Sequence, residues 1–170
     1  MTDLRLNNSQ NISGVSSLIF LRKLYIDVSL SFDDVSLSSL RTLVNLEFLY
    51  LEGVDITVTT FRDLSTLTVL KELYLMYCFS LTDDGVRECA RACRALCKLS
   101  IGVTYGDWDD PNLLTITAWA HLTNYASSTL THLTLLGFDL GVAEKIVLSR
   151  FKLSFSDHDV ISLNHYDALQ

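Results

Sequence analysis

The sequence predicts an α/β repeat solenoid, with a curved parallel β-sheet on the concave face and short α- or 3₁₀-helices on the convex face. The pattern L-x-x-L-x-L recurs along the chain with small variations. The anchors Leu4, Leu24, Leu49, Leu73 and Leu99 are 20, 25, 24 and 26 residues apart, and such periods are typical of stacked supersecondary units. With 49% hydrophobic residues, the 170-residue chain can bury one continuous core as a single domain.

The strands of the predicted sheet are the L-x-x-L-x-L runs themselves, because their apolar residues alternate as in a half-buried strand. Six runs start at or near Leu4, Leu21, Leu46, Leu70, Leu96 and Leu130. A weaker copy, His158-x-x-Ile161-x-Leu163, predicts a seventh repeat. The ends carry no polar cap, so we expect the chain to be a fragment of a larger polypeptide or to pack on neighbouring subunits.

The segments between the strands show helical spacing. Apolar residues recur every three or four positions at Leu37, Leu40 and Leu43 and again at Phe61, Leu64 and Leu67. Each set forms one buried stripe, which predicts a short α- or 3₁₀-helix between consecutive strands.

The clearest helix follows Thr82, which suits an N-cap position. Asp83 and Asp84 come next, where negative charge favours the positive end of a helix dipole. Four residues then share one helix face and are expected to be buried: Val86, Cys89, Ala90 and Cys93.

This unit resembles the cysteine-containing subclass of leucine-rich repeats, which occurs in the substrate-recognition domains of F-box ubiquitin-ligase subunits. The residues that match its pattern are Cys78, Leu81, Thr82, Asp83, Gly85, Val86, Ala90 and Cys93. The resemblance implies a leucine-rich-repeat solenoid of about six to seven repeats. No F-box-like segment precedes Leu4, so the resemblance is expected to cover the fold and not a ligase.

One interval departs from the period, since Leu99 and Leu133 are 34 residues apart. The excess predicts an insertion at about 104–112, where Tyr105 and Trp108 form an aromatic pair on an acidic loop. These two residues are candidates for contact with a protein partner, and packing over the solenoid edge is the alternative.

A helix is predicted directly after this insertion. Asp110 and Pro111 suit its N-cap and first position. The helix would end near Ser127, with five residues facing inward: Leu113, Ile116, Trp119, Ala120 and Thr123.

The concave face is the main candidate binding surface. Tyr25, Tyr50 and Tyr74 hold the same position in three consecutive repeats, so they should stack about 4.8 Å apart. Exposed tyrosines are favoured at binding hot spots, although cross-strand aromatics can also serve only to stabilise a sheet. The candidate partner-binding residues on this face are Tyr25, Asp27, Phe48, Tyr50, Glu52, Glu72, Tyr74 and Met76.

Composition narrows the partner class. The net charge of −7 offers no basic face for nucleic acid, and no apolar run reaches the roughly 18 residues that span a bilayer. The first 20 residues contain no secretory or presequence pattern. We therefore expect protein partners and neither nucleic acid, a membrane span nor a small-molecule substrate.

The four cysteines lie within 20 residues of one another, at Cys78, Cys89, Cys93 and Cys97. Their spacing lacks a C-x-x-C pair, so we expect buried thiols, with a zinc site as the alternative. An intracellular, reducing compartment fits this pattern, and the cytoplasm is favoured over an organelle matrix. Two N-glycosylation patterns, at Asn7 and Asn11, favour the opposite compartment.

Catalytic motifs are absent from the sequence. It contains no G-x-S-x-G, no phosphate-binding glycine loop and no H-E-x-x-H. We therefore expect no catalytic residues, no cofactor and no resident metal. The expected function is a non-enzymatic protein–protein interaction module that serves as a structural or accessory subunit of a larger assembly. The alternative is a substrate-recognition domain of an F-box-type ubiquitin ligase.

Overall fold

In the part of the chain that the structure describes, seven parallel strands form one open sheet in sequence order. The computed structural model describes residues 2–7, 12–27, 37–78, 80–102, 114–126, 128–138, 145 and 147–156. The strands are β1 (Asp3–Asn7), β2 (Lys23–Asp27), β3 (Phe48–Glu52), β4 (Glu72–Met76), β5 (Lys98–Gly102), β6 (His132–Leu136) and β7 (Lys152–Ser156). Each pairs with the next, and β1 does not meet β7, so the sheet does not close into a barrel.

Short helices alternate with the strands, as the spacing of the apolar residues predicts. Among the described residues, two 3₁₀ helices span Ser13–Ser17 and Ser38–Thr42. They are followed there by the α-helices α1 (Val58–Leu64), α2 (Asp83–Ala92) and α3 (Ile116–Tyr125). The predicted α/β architecture of a repeat solenoid is therefore confirmed.

The strand register places equivalent leucines of successive repeats side by side. Leu24 pairs with Leu49, Leu49 with Leu73, Leu73 with Leu99, and Leu99 with Leu133. A shift of one residue would move every apolar side chain to the opposite face. The leucine pattern therefore sets the register throughout the sheet.

The core lies between the sheet and the helices. Alternate strand residues such as Leu24 and Ile26 point into it and are fully buried. The predicted buried face of α2 is confirmed, because Val86, Cys89, Ala90 and Cys93 all belong to the same core cluster. Thr82 caps this helix, with its Oγ1 accepting a hydrogen bond from Gly85 N at 3.2 Å.

Polar side chains connect neighbouring repeats at the ends of the helical segments. The hydroxyl of Thr42 donates to Ser16 O at 3.0 Å, and the hydroxyl of Thr66 donates to Arg41 O at 2.8 Å. Each bond gives a carbonyl near the end of one helix a side-chain donor from the next repeat. Neighbouring repeats are thus joined on the helical side as well as through the sheet.

The helix after the insertion differs from its prediction. Asp110 and Pro111 lie outside the described residues. The prediction that the helix carrying Trp119 starts there is wrong, because α3 starts at Ile116 and is capped by Thr115, whose Oγ1 accepts from Thr117 N at 3.1 Å. Asp83 holds Thr115 in place by accepting hydrogen bonds from both its backbone N–H and its hydroxyl.

The predicted inward face of this helix is also out of phase. Ala118, Trp119 and Leu122 are the buried residues of α3, whereas Ile116 is exposed. Of the five residues expected to face inward, Trp119 is fully buried, Ala120 and Thr123 are half-buried, and Leu113 lies outside the described residues.

The seventh strand lies earlier in the chain than the weak copy at 158–163, which falls outside the described residues. Strand β7 pairs with β6 so that Leu153 lies beside Leu133 and Phe155 lies beside Leu135. In this repeat Arg150 occupies the first position of the L-x-x-L-x-L pattern, where the preceding repeat has Leu130. That substitution hides the strand from a search for the motif.

A left-handed residue follows three of the strands at the same repeat position. Gly53, Tyr77 and Gly137 have φ angles of 66°, 53° and 77°. The backbone bonding also repeats, since Gly53 N–H donates to Met76 O at 3.0 Å and Tyr77 N–H donates to Gly102 O at 2.9 Å. Glycine adopts this conformation without strain, whereas a tyrosine does not.

Replacing Tyr77 with glycine is expected to raise the free energy of unfolding by about 0.5–1 kcal/mol. Relief of left-handed strain, about 1–2 kcal/mol, exceeds the greater unfolded-state entropy of glycine. The urea midpoint measures the change. Tyr77→Ala is the control, because it removes the ring but keeps the strained Cβ, and it should gain nothing. If Tyr77→Gly were less stable than Tyr77→Ala, the backbone of Tyr77 would not be strained.

Candidate functional site: an aromatic face on the sheet

Three tyrosines line up across β2, β3 and β4 on the sheet face opposite the helices. The register pairs Tyr25 with Tyr50 and Tyr50 with Tyr74. Their ring centroids lie 6.1 and 6.0 Å apart, with the planes tilted by 36° and 35°. The predicted tyrosine row is therefore present, with wider spacing than the backbone because the rings are tilted.

Phe48 packs into this row from the same face. Its ring centroid lies 4.8 Å from that of Tyr25 and 5.1 Å from that of Tyr74. Phe48 is only 8% exposed, whereas all three tyrosines are half-buried. We call the surface formed by Tyr25, Phe48, Tyr50 and Tyr74 the aromatic face. Phe48 supports this face from within, and the tyrosines provide its accessible area.

Carboxylates fix the hydroxyl ends of two tyrosines. Tyr50 Oη donates to Glu52 Oε2 at 2.5 Å, and Tyr74 Oη donates to Glu72 Oε2 at 3.1 Å. Both pairs are two residues apart in one strand, and this spacing puts them on the same face. Burial and the neighbouring Glu72 raise the pKa of Tyr74, so its hydroxyl remains a donor over the physiological range. The Tyr50 and Tyr74 side chains are thus held at the strand backbone and again at the hydroxyl group.

The two glutamates differ in their electrostatic surroundings. Glu72 forms an ion pair with Lys98 at 3.2 Å. Glu52 lies between Asp27 and Met76 in the register, and neither side chain carries positive charge. Burial raises the pKa of the Glu52 carboxyl, the hydrogen bond from Tyr50 opposes that shift, and repulsion from Asp27 adds to it.

A guanidinium group already occupies one end of the aromatic face. Arg5 lies beside Tyr25 in the register, and its Cζ is 4.5 Å from the centroid of the Tyr25 ring. This distance is typical of a cation–π contact. The face therefore has the geometry to bind a stacked guanidinium.

Met76 is enclosed although it belongs to the same row of outward positions. It is 2% exposed, and its sulfur fills the space where Gly102 has no side chain. A Cβ at Gly102 would come within 2.9 Å of Met76 Sδ and 3.4 Å of Leu136 Cβ. Ser100, the next outward position beyond Tyr74, is also buried. The accessible aromatic surface on this side of the sheet therefore lies over β2–β4 and does not continue onto β5.

The cysteines behave largely as buried thiols. Cys89 and Cys93 lie in the core, whereas Cys78 and Cys97 retain some accessible surface. A hydrogen bond with Cys93 and burial raise the pKa of Cys89 well above that of an ordinary thiol. Burial raises the pKa of Cys78 to about 12. Within the described part of the chain, no three His, Cys, Asp or Glu side chains are grouped to hold a metal ion.

A set of exposed apolar residues outside the aromatic face is not predicted from the sequence. Ile19, Phe20, Val44 and Val69 are all exposed, and they lie in the turns that precede β2, β3 and β4. The sequence does mark their positions: each lies in the two-residue gap between the last leucine of a helical segment and the first leucine of the next strand pattern, and this gap recurs with the period of the strands. Periodicity assigns the flanking leucines to the core and leaves these two positions undetermined.

Comparisons of the chain with protein-family models and with curated proteins gave no match. Among the described residues, no helix has the length and apolar character needed to cross a membrane. The candidate contact residues Tyr105 and Trp108 fall outside the part of the chain that the structure describes.

Proposed function

We propose that this chain is a non-enzymatic protein–protein interaction module of the leucine-rich-repeat type. The observation that carries the proposal is the aromatic face, in which four rings pack together and two hydroxyls are fixed by carboxylates. Rigid tyrosines provide a large amphipathic contact area at little entropic cost. The repeat period and the leucine register support the assignment to leucine-rich repeats.

The module is proposed to serve as a structural or accessory subunit of a larger multiprotein assembly. Within the described residues, β1 and β7 each pair on one side only. An edge strand can pair with a strand of a neighbouring chain. Two edge strands among the described residues and one aromatic face suit a subunit that touches more than one neighbour.

Replacing Tyr50 with alanine is expected to weaken partner capture by about 1–2 kcal/mol, or roughly tenfold. Tyr50 is the central ring of the row and contacts both Tyr25 and Tyr74. The measurement is affinity purification from the native source at native expression, with quantitative identification of the captured proteins. Circular dichroism should be unchanged, because the ring lies outside the core.

Tyr125→Ala is the matched control, since Tyr125 is an exposed tyrosine on α3 whose ring lies against Arg91 and not on the aromatic face. This variant should capture the same partners as the wild type. Capture that survives substitution of Tyr25, Tyr50 and Tyr74 alike would exclude the aromatic face as the binding surface.

The second candidate is substrate recognition within an F-box-type ubiquitin ligase. It is favoured by the Cys78–Cys93 unit, in which residues of the subclass pattern have defined physical roles. The Cys78 thiol donates to Leu51 O at 3.6 Å, Thr82 caps α2, and Gly85 leaves room for Leu81 and Phe61. The same purification separates the two candidates, because this one requires the ligase adaptor subunit among the captured proteins.

A further inference from the structure

The charge pattern along the aromatic face is uneven. At one end the chain's own Arg5 stacks on Tyr25, and Glu72 is paired with Lys98 on the other side of the face. Between them, Glu52 is half-buried, accepts from Tyr50 and has a carboxylate and a thioether as its register neighbours. Glu52 is thus a half-buried carboxylate of this face whose two register neighbours, Asp27 and Met76, are not cations.

We propose that the aromatic face receives an arginine side chain of a protein partner, with the guanidinium stacked on the Tyr50 ring and paired with Glu52. This inference rests on the proposed interaction function and names the chemistry of the partner segment. Arg5 makes a contact of this kind with Tyr25 within the chain, with its Cζ 4.5 Å from the centroid of the ring.

Three physical arguments select arginine. A tyrosine face attracts a cation, and a planar guanidinium can stack on the ring while its N–H groups reach a carboxylate. Charge-assisted bonds to a carboxylate are stronger than neutral ones, and partial burial of Glu52 increases the attraction. The net charge of −7 also favours approach of a basic segment.

The test titrates the purified full chain at neutral pH with the peptide acetyl-Gly-Gly-Arg-Gly-Gly-amide, monitored by NMR of the tyrosine ring protons. A second peptide carries citrulline, which keeps the shape of arginine but has no charge, and a third carries lysine. Saturable shifts of the Tyr50 ring are expected with the arginine peptide. Binding of the other two should be weaker, by about tenfold for citrulline.

Two variants localise the contact. Glu52→Gln should weaken the arginine peptide about tenfold. Glu47→Gln is the matched control, because Glu47 is already paired with Lys71 at 2.8 Å and with Arg22 at 3.5 Å. It should bind the peptide as the wild type does, and thermal unfolding verifies that both variants are folded.

The inference is overturned if the arginine peptide produces no ring shifts up to its solubility limit, if citrulline or lysine binds equally well, or if Glu52→Gln has no effect. The capture experiment with the Tyr50→Ala variant uses no peptide, so it tests the proposed interaction function separately. Capture that depends on Tyr50 in the absence of peptide binding would reject the arginine and leave the interaction module in place. Failure of capture would reject the module itself.

Discussion

Replacing Leu73 with alanine is expected to lower the free energy of unfolding by about 2–5 kcal/mol. Leu73 is fully buried at the centre of β4, between Leu49 and Leu99 in the register. Removing its branched end leaves a cavity that the paired strands on either side prevent from collapsing. Chemical denaturation monitored by circular dichroism measures the loss.

The matched control for this substitution is Ile19→Ala. Isoleucine and leucine have the same number of atoms, but Ile19 lies exposed in the turn before β2. Its replacement should change stability by no more than about 0.5 kcal/mol. Equal stability of Leu73→Ala and the wild-type protein would show that the leucine register is wrong.

Stability is expected to fall as the pH rises above about 9. Burial raises the pKa of Cys78 from 9.0 to about 12, and the pKa of Cys89 is raised as well. The folded protein therefore keeps these protons at pH values where the unfolded chain has lost them. The stabilisation is complete below the unfolded pKa and is lost as the pH rises towards the folded values.

The expected loss from Cys78 is on the order of 2 kcal/mol, about half that of a fully enclosed thiol with this pKa, because part of the residue is accessible to water. Urea unfolding under reducing conditions between pH 8 and pH 11 measures it. A variant with alanine at both Cys78 and Cys89 should lose less stability over this range than the wild type does. A double variant with the wild-type slope would refute the assignment to these thiols.

Much of the fold follows from the sequence because two periodicities coincide. The alternation within each run assigns Leu49 and Leu51 to the core and Tyr50 to the opposite face, and the period between runs aligns Tyr50 with Tyr25 and Tyr74. A parallel sheet with neighbouring strands in sequence order converts these one-dimensional spacings directly into contacts. The tyrosine row could therefore be predicted residue by residue.

Two elements could not be predicted, for different reasons. The sequence predicts that α3 starts at Asp110 and Pro111, whereas in the structure Thr115 caps this helix and donates two hydrogen bonds to Asp83. Strand β7 lacks a leucine at its first anchor position, where Arg150 instead donates to Leu122 O and Ala126 O. In both cases the deciding contact joins residues more than 20 positions apart.

The site was predictable in position and not in detail. Alternation states that Met76 points away from the core, but it carries no information about the missing side chain of Gly102 that Met76 fills. The same holds for Phe48, which is buried by rings from the strands on either side. Spacing along one strand did place Glu52 beside Tyr50, since residues two apart share a face.

The connection between β5 and β6 is the longest between paired strands of the described sheet, and its extra length lowers stability only slightly. Leu99 and Leu133 remain in register although 34 residues separate them, compared with 26 between Leu73 and Leu99. Loop-closure entropy rises only with the logarithm of length, so the added residues cost about 0.2 kcal/mol. The junction between β5 and β6 is therefore a point where the polypeptide can acquire new sequence almost free of thermodynamic penalty, while the neighbouring strands keep their alignment.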